Sequence, residues 1–169
     1  KYAEENDVLI VNAAGNEGLN LDDTRVYPND DTPENPENFV DNFINVGSIT
    51  SKYGGNLVSG FSNYGKQSVD LFAPGSSIYS TTPLDTYEFL QGTSMASPNV
   101  AGVAAVIRSL YPKLNAAQVK QILMESGLTT EEEVILGGDP QNTKTFSKLS
   151  VSGKIVNMYN AIILASKTK

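Results

Sequence analysis

The apolar residues of this chain gather in short runs divided by polar, turn-forming segments. Val8-Leu9-Ile10-Val11 is a continuous apolar run bounded by turn residues, the pattern of a strand buried on both faces. Residues 44–49 and 69–73 read as two more strands, the second ended by the turn Ala73-Pro74-Gly75. Residues 78–82 and 87–90 form a short hairpin pattern. From about residue 94 to 110 apolar positions recur nearly all round a helical projection, which predicts a central, buried helix. An amphipathic helix follows, opened by Asn115 with Gln118 three residues on as a capping box, with Val119, Ile122 and Leu123 on one face and Gly127 as its stop. Glu131-Glu132-Glu133 reads as a solvated helix start or loop, and residues 137–153 as a turn-rich segment with a hairpin over 145–151. A last helix carries Met158, Ala161, Ile162 and Ala165 on one face, and residues 1–6 read as the closing turns of a helix. No internal repeat interrupts this order.

Length and composition narrow the class. A chain of 169 residues with 40% hydrophobic content suits one domain with a sizeable core. There is no Cys, hence no disulfide framework and no thiolate metal site. No apolar run approaches the roughly 20 residues of a membrane helix, and no charged segment followed by an apolar core marks a signal peptide. Twelve basic and 19 acidic side chains give a net charge of −7. Most of that excess lies in one segment, where Asp22, Asp23, Asp30, Asp31, Glu34, Glu37 and Asp41 face only Arg25. With Pro28, Pro33 and Pro36 this segment predicts an irregular surface loop. Its carboxylates could coordinate calcium, but the spacing is not that of an EF-hand and a solvated acidic loop is the favoured reading. The lack of a basic patch excludes a nucleic-acid partner.

The chemistry is concentrated in Gly92-Thr93-Ser94-Met95-Ala96-Ser97-Pro98-Asn99-Val100-Ala101-Gly102. Ser94 stands at the mouth of the predicted helix, where the positive end of the helix dipole favours the anionic character that develops when a hydroxyl attacks a carbonyl. Gly92 permits a sharp entry and leaves room beside Ser94, while Ala96, Ala101, Gly102, Ala104 and Ala105 allow close helix packing. Pro98 lies in the early turns, where a missing N–H does little damage. A Ser in this place can also be a simple N-cap. A second element, Asn12-Ala13-Ala14-Gly15-Asn16-Glu17-Gly18, follows the first strand. Ligands of open α/β sheets bind beyond the C-terminal ends of strands, but Gly15-Asn16 is also an ordinary turn dipeptide. A serine nucleophile at neutral pH needs a base, and the chain contains no His.

The serine segment closely resembles the G-T-S-M-A-S-P-H-V-A-G nucleophile motif of subtilisin-like serine peptidases, the subtilases, departing from it at Asn99. Gly92-Thr93-Ser94-Met95-Ala96 also approaches the G-x-S-x-G elbow of α/β-hydrolases. That fold places its His after the Ser, whereas subtilases run Asp, His, Ser, so the absence of His downstream of Ser94 favours the subtilase reading. The resemblance extends from Val8 to about Ala165, with Ala73-Pro74-Gly75 and Gly153-Lys154-Ile155-Val156-Asn157 as supporting segments. It implies a partial subtilisin-like α/β fold, with a parallel sheet, a buried helix carrying the nucleophile, and peripheral helices and hairpins. Residues 1–169 would be the C-terminal portion of a single catalytic domain whose Asp and His lie in an N-terminal portion.

Several roles follow from the resemblance. Ser94 would be the nucleophile, and Asn16 together with the Ser94 N–H would bind the oxyanion. Ala13, Ala14 and Gly15 would line the pocket for the substrate side chain before the scissile bond. The resemblance further implies a polypeptide substrate, a secreted or cell-surface location and, as in many relatives, bound calcium. A non-catalytic, subtilase-like binding module is the alternative function. Separation of the first strand from its parallel neighbour would leave an apolar edge prone to self-association.

Overall fold

The structure is a computed structural model describing residues 1–30 and 40–168. A short helix α1 (Tyr2–Glu5) precedes strand β1 (Ile10–Ala13), followed by β2 (Phe43–Ile49) and β3 (Leu71–Pro74). These form a parallel sheet in the order β1-β2-β3. The hairpin β4 (Ile78–Thr82) and β5 (Thr86–Leu90) leads into helix α2 (Thr93–Leu110) and then α3 (Ala116–Ser126). A second hairpin, β6 (Glu133–Leu136) and β7 (Asp139–Thr145), precedes the last helix α4 (Met158–Ala165).

Side chains alternate across the sheet and create two cores. Ile44, Val46, Leu71 and Ala73 meet α2, α3 and α4 through Ala96, Val100, Ala104, Ile107, Val119, Ile122, Leu123, Ala161 and Ala165. On the other face, Ile49 and Phe72 pack with Leu57, Val58, Val134, Leu136, Phe146 and Leu149. All seven residues of β2 are buried because it is paired on both sides. β1 is an edge strand among the described residues, with Val8 50% and Ile10 40% exposed, and it starts later than its apolar run because Asp7 turns the chain at φ 54°. α2 is buried along Thr93, Ala96, Val100, Ala104 and Ile107, whereas Ala101, Gly102 and Ala105 face outward.

The capping box of α3 forms as expected, with Asn115 Oδ1 accepting from Gln118 N–H and Gln118 Oε1 from Asn115 N–H. Gly127 serves α3 by close approach, since a Cβ there would lie 2.6 Å from the Ile155 carbonyl oxygen. Two expectations need correction in the C-terminal third. Glu131 and Glu132 lie in a loop as expected, but Glu133 begins a strand, because Val134 and Leu136 bury their side chains on alternate positions. Residues 145–151 form no hairpin, and a 3-10 turn at Phe146–Lys148 lets Phe146 and Leu149 enter the core instead.

Asp70 and Lys120 form a buried pair beneath the sheet, with Lys120 Nζ 3.3 Å from Asp70 Oδ1 and the Asn45 N–H donating to Oδ2 at 2.7 Å. Burial pushes the Asp70 carboxyl above its ordinary value, while the Lys120 ammonium and the Asn45 N–H pull it back. A carboxyl raised on folding favours the folded state when protonated. That contribution is complete below the unfolded value of 3.8 and is lost as pH rises through the folded one. Lys120→Met, which leaves the carboxylate buried without its counter-ion, should cost about 3–5 kcal/mol at pH 7. Chemical denaturation across pH should find this deficit narrowing as pH falls through the folded pKa, and a pH-independent deficit would contradict the pairing.

Candidate active site

The helix α2 begins at Thr93, with Gly92 in the N-cap position at φ 151°. That conformation favours glycine, and it turns the chain sharply out of β5. Ser94 is therefore the second helical residue. Its side chain caps nothing and is exposed, so the N-cap reading of Ser94 does not hold. Its Oγ and its backbone N–H make no hydrogen bond among the described residues.

Asn16 supplies the cap from the loop that follows β1. Its Oδ1 accepts from the Thr93 N–H at 2.9 Å and from Thr93 Oγ1 at 3.1 Å, which satisfies the first orphan donor of α2. Because its oxygen is committed to the helix, its Nδ2 is turned toward Gly92 and makes no hydrogen bond among the described residues. A Cβ on Gly92 would stand 3.5 Å from Asn16 Nδ2 and 3.6 Å from Ser94 N. The space left by that absent side chain is thus bordered by two unpartnered N–H donors. Helix dipole and donors act in the same sense there, favouring negative charge.

Neighbouring bonds hold the two segments in register. Thr93 Oγ1 accepts from the Gly15 N–H at 3.0 Å, and buried Thr93 therefore joins both halves of the site. Ser97 Oγ donates to the Val11 carbonyl at 3.0 Å, tying α2 to β1. Asn99, at the position that departs from the motif, donates to the Pro74 and Met95 carbonyls at 2.9 and 3.1 Å, so the change leaves α2 fastened to β3. Pro98 has no N–H to offer the Ser94 carbonyl one turn earlier.

Of the other expected site residues, Gly15 is tied to the site through its N–H on Thr93 Oγ1. Ala13 and Gly15 are half-buried, while Ala14 is 2% exposed and its side chain belongs to the second core. Gly15 has φ 104°, and a Cβ there would overlap Asn63 Nδ2 and come within 2.6 Å of Glu17 Oε2. A cleft of about 480 Å³ lined by Asp41, Asn115, Lys120 and Glu125 lies at the opposite end of the strands and includes none of these residues.

Of the acidic segment, residues 31–39 lie outside the described residues, and the calcium expectation falls partly on them. Asp22 is engaged in the protein itself: it accepts from the backbone N–H groups of Lys66, Gln67 and Ser68 at 2.7, 3.0 and 3.0 Å. No group of three or more acidic side chains placed to hold a metal ion occurs among the described residues, nor any helix long and apolar enough to cross a membrane. Thr93 and Asn63 are the functional neighbours that pattern reading did not single out. Thr93 stood within the quoted motif, so its proximity to Ser94 was the available signal.

The subtilase family model, Peptidase S8, matches residues 1–151. Subtilisin DY of Bacillus licheniformis is 39% identical over 131 residues, which are 77% of this chain and 43% of that protein. Subtilisin-like protease 1 of Plasmodium vivax is 55% identical over 53 residues, 31% of this chain and 8% of that protein. Among solved structures, the prenylagaramide maturation protease PagA superposes with a TM-score of 0.68 at 29% identity, covering 95% of this chain and 52% of that one. A structure of the subtilase cytotoxin SubAB assembly gives 0.72 at 26% identity, covering 96% and 50%. The chain thus spans about half the length of these structural relatives and less than half of Subtilisin DY. The family match over most of the chain, on a parallel sheet with Asn16 beyond the end of β1 and Ser94 in the first turn of α2, establishes that the chain belongs to the subtilase family of serine peptidases.

Proposed function

We propose that residues 1–169 are the C-terminal portion of a subtilase catalytic domain that hydrolyses peptide bonds, with Ser94 as nucleophile. The observation that carries this reading is the convergence of Ser94 N and Asn16 Nδ2, both without acceptors among the described residues, on the space beside Gly92. Ser94 Oγ attacks the scissile carbonyl carbon, and its proton passes to a His supplied by the rest of the domain, since the chain has none. The carbonyl electron pair moves onto oxygen, which accepts hydrogen bonds from Asn16 Nδ2–H and Ser94 N–H. Collapse expels the amine, which takes the proton from the His. Water, deprotonated by the same His, then releases the acyl group from Ser94 and restores the hydroxyl. Ala13, Ala14 and Gly15 form one wall for the side chain preceding the scissile bond, with Ala14 contributing backbone.

A fluorophosphonate probe tests the reading. It should label the complete domain at Ser94 and the 169-residue chain slowly or not at all. Rapid labelling of the isolated chain would refute the need for a base from elsewhere, and an unlabelled complete domain would favour a binding module.

The isolated chain should also self-associate. The β1 edge with exposed Val8 and Ile10, and the outward face of α2 at Ala101, Gly102 and Ala105, together offer hydrogen-bonding and apolar surface. Light scattering over a concentration series should give a rising mass, and a strictly monomeric mass at high concentration would count against it.

A further inference from the structure

The loop that carries Asn16 has little packing of its own: Asn16, Glu17 and Leu19 are exposed, and Gly15 and Gly18 have positive φ. Such a segment would sample several conformations unless tethered, and an oxyanion donor must be held within a fraction of an ångström to act. The tether is Asn63, which is completely buried.

Every hydrogen-bonding position of the Asn63 side chain is spent on this loop. Its Nδ2 donates to the Ala14 carbonyl at 2.8 Å and to Glu17 Oε2 at 2.7 Å. Its Oδ1 accepts from the Glu17 N–H at 3.2 Å and the Leu19 N–H at 2.9 Å. The backbone repeats the grip, since the Asn63 N–H donates to the Gly15 carbonyl at 3.1 Å. Asn16 is thereby bracketed on both sides, at positions 14 and 15 before it and 17 and 19 after it. Both amide hydrogens and both oxygen lone-pair positions are used, so only this orientation of the amide satisfies all four partners. Two backbone N–H groups on one side and a carbonyl and a carboxylate on the other define a socket that no other side chain of this size fills.

The socket is itself fixed. Ser62 Oγ donates to the Asn63 carbonyl at 2.9 Å and accepts from the Ser48 N–H at 2.8 Å, which links Asn63 to the central strand β2. The two sides of Asn16 thus divide the work. Thr93 aims its amide, and Asn63 fixes the backbone from which that amide projects.

We propose that Asn63 is a positioning residue for the reaction, acting through Asn16 rather than on the substrate. The proposal rests on the oxyanion role given to Asn16 above. Its effect should fall on the transition state, because the misplaced group is a donor that matters only once charge develops on the carbonyl oxygen.

The test is a double-mutant cycle in the complete catalytic domain. Asn63→Ala should lower kcat by up to about 10²-fold with little change in KM, the size of loss that a misplacement of about 1 Å can produce. In an Asn16→Ala background the same substitution should lower kcat by less than about threefold, since the group it positions is already gone. A purely structural role would give equal losses in both backgrounds, and that result would overturn the proposal, as would a raised KM with kcat unchanged. Should Asn63→Ala fail to fold, Asn63→Asp carries the same cycle. It keeps the volume and the acceptor for Glu17 and Leu19 but sets a carboxylate against that of Glu17. Adding Glu17→Gln should then restore part of kcat by donating to the introduced carboxylate, and no recovery would speak against the socket. If Asn16→Ala alone leaves kcat unchanged, the oxyanion reading and this proposal fall together, whereas failure of the cycle with a normal Asn16 effect removes only the proposal.

Discussion

Ser94→Ala in the complete domain is expected to lower kcat by about 10⁶-fold, a magnitude carried over from the equivalent loss in subtilisin rather than obtained from this geometry. The substitution should leave stability within about 0.5 kcal/mol, because Ser94 is exposed, its Oγ has no partner among the described residues, and Ala is the better helix former. Activity and folding are thereby separated, and matched thermal melts beside steady-state kinetics check both. Retention of activity within tenfold would exclude Ser94 as nucleophile. The variant should still bind peptide, since the Ser94 N–H and Asn16 are untouched.

Asn16→Ala is expected to lower kcat by about 10²–10³-fold with KM within about twofold, again a range known from subtilisin and borrowed from it. Two functions of Asn16 are lost at once, since its Oδ1 caps Thr93 while its Nδ2 borders the space at Gly92. Asn16→Asp distinguishes them. A carboxylate can still accept from the Thr93 N–H and suits a helix N-terminus, so stability should be kept or improved. It offers the developing oxyanion an acceptor and a like charge, so kcat should fall at least as far as in the Ala variant. An Asp variant with near-normal kcat would show that the amide hydrogen contributes nothing.

Elements written in a local pattern were legible. The start of α2 at the Gly92-Thr93-Ser94 segment, the Asn115–Gln118 capping box, the β4–β5 hairpin and the apolar face of α3 depend on neighbours within a few positions. Asn16 was legible only in company, because an Asn after Gly reads as a turn until the helix it caps, 77 residues away, is brought beside it. Asn63 and the Asp70–Lys120 pair left no local trace, since their partners are supplied by other segments of the fold. The β6–β7 hairpin was hidden for a different reason. β7 is polar and exposed along most of its length, and β6 contributes only Val134 and Leu136 to the core, beside a run of three glutamates. The helix α2 looked apolar all round because small residues on its outward face score with the core. Sequence alone does not separate a face covered by this chain from one left open by it.

The central claim is that Ser94 N–H and Asn16 Nδ2 share one oxyanion. The crystal structure of the complete domain carrying a phosphonate on Ser94 tests it most directly. The account predicts a phosphoryl oxygen within about 3 Å of both Ser94 N and Asn16 Nδ2, in the space beside Gly92. A phosphoryl oxygen turned to solvent, with Asn16 Nδ2 bonded elsewhere, would contradict it.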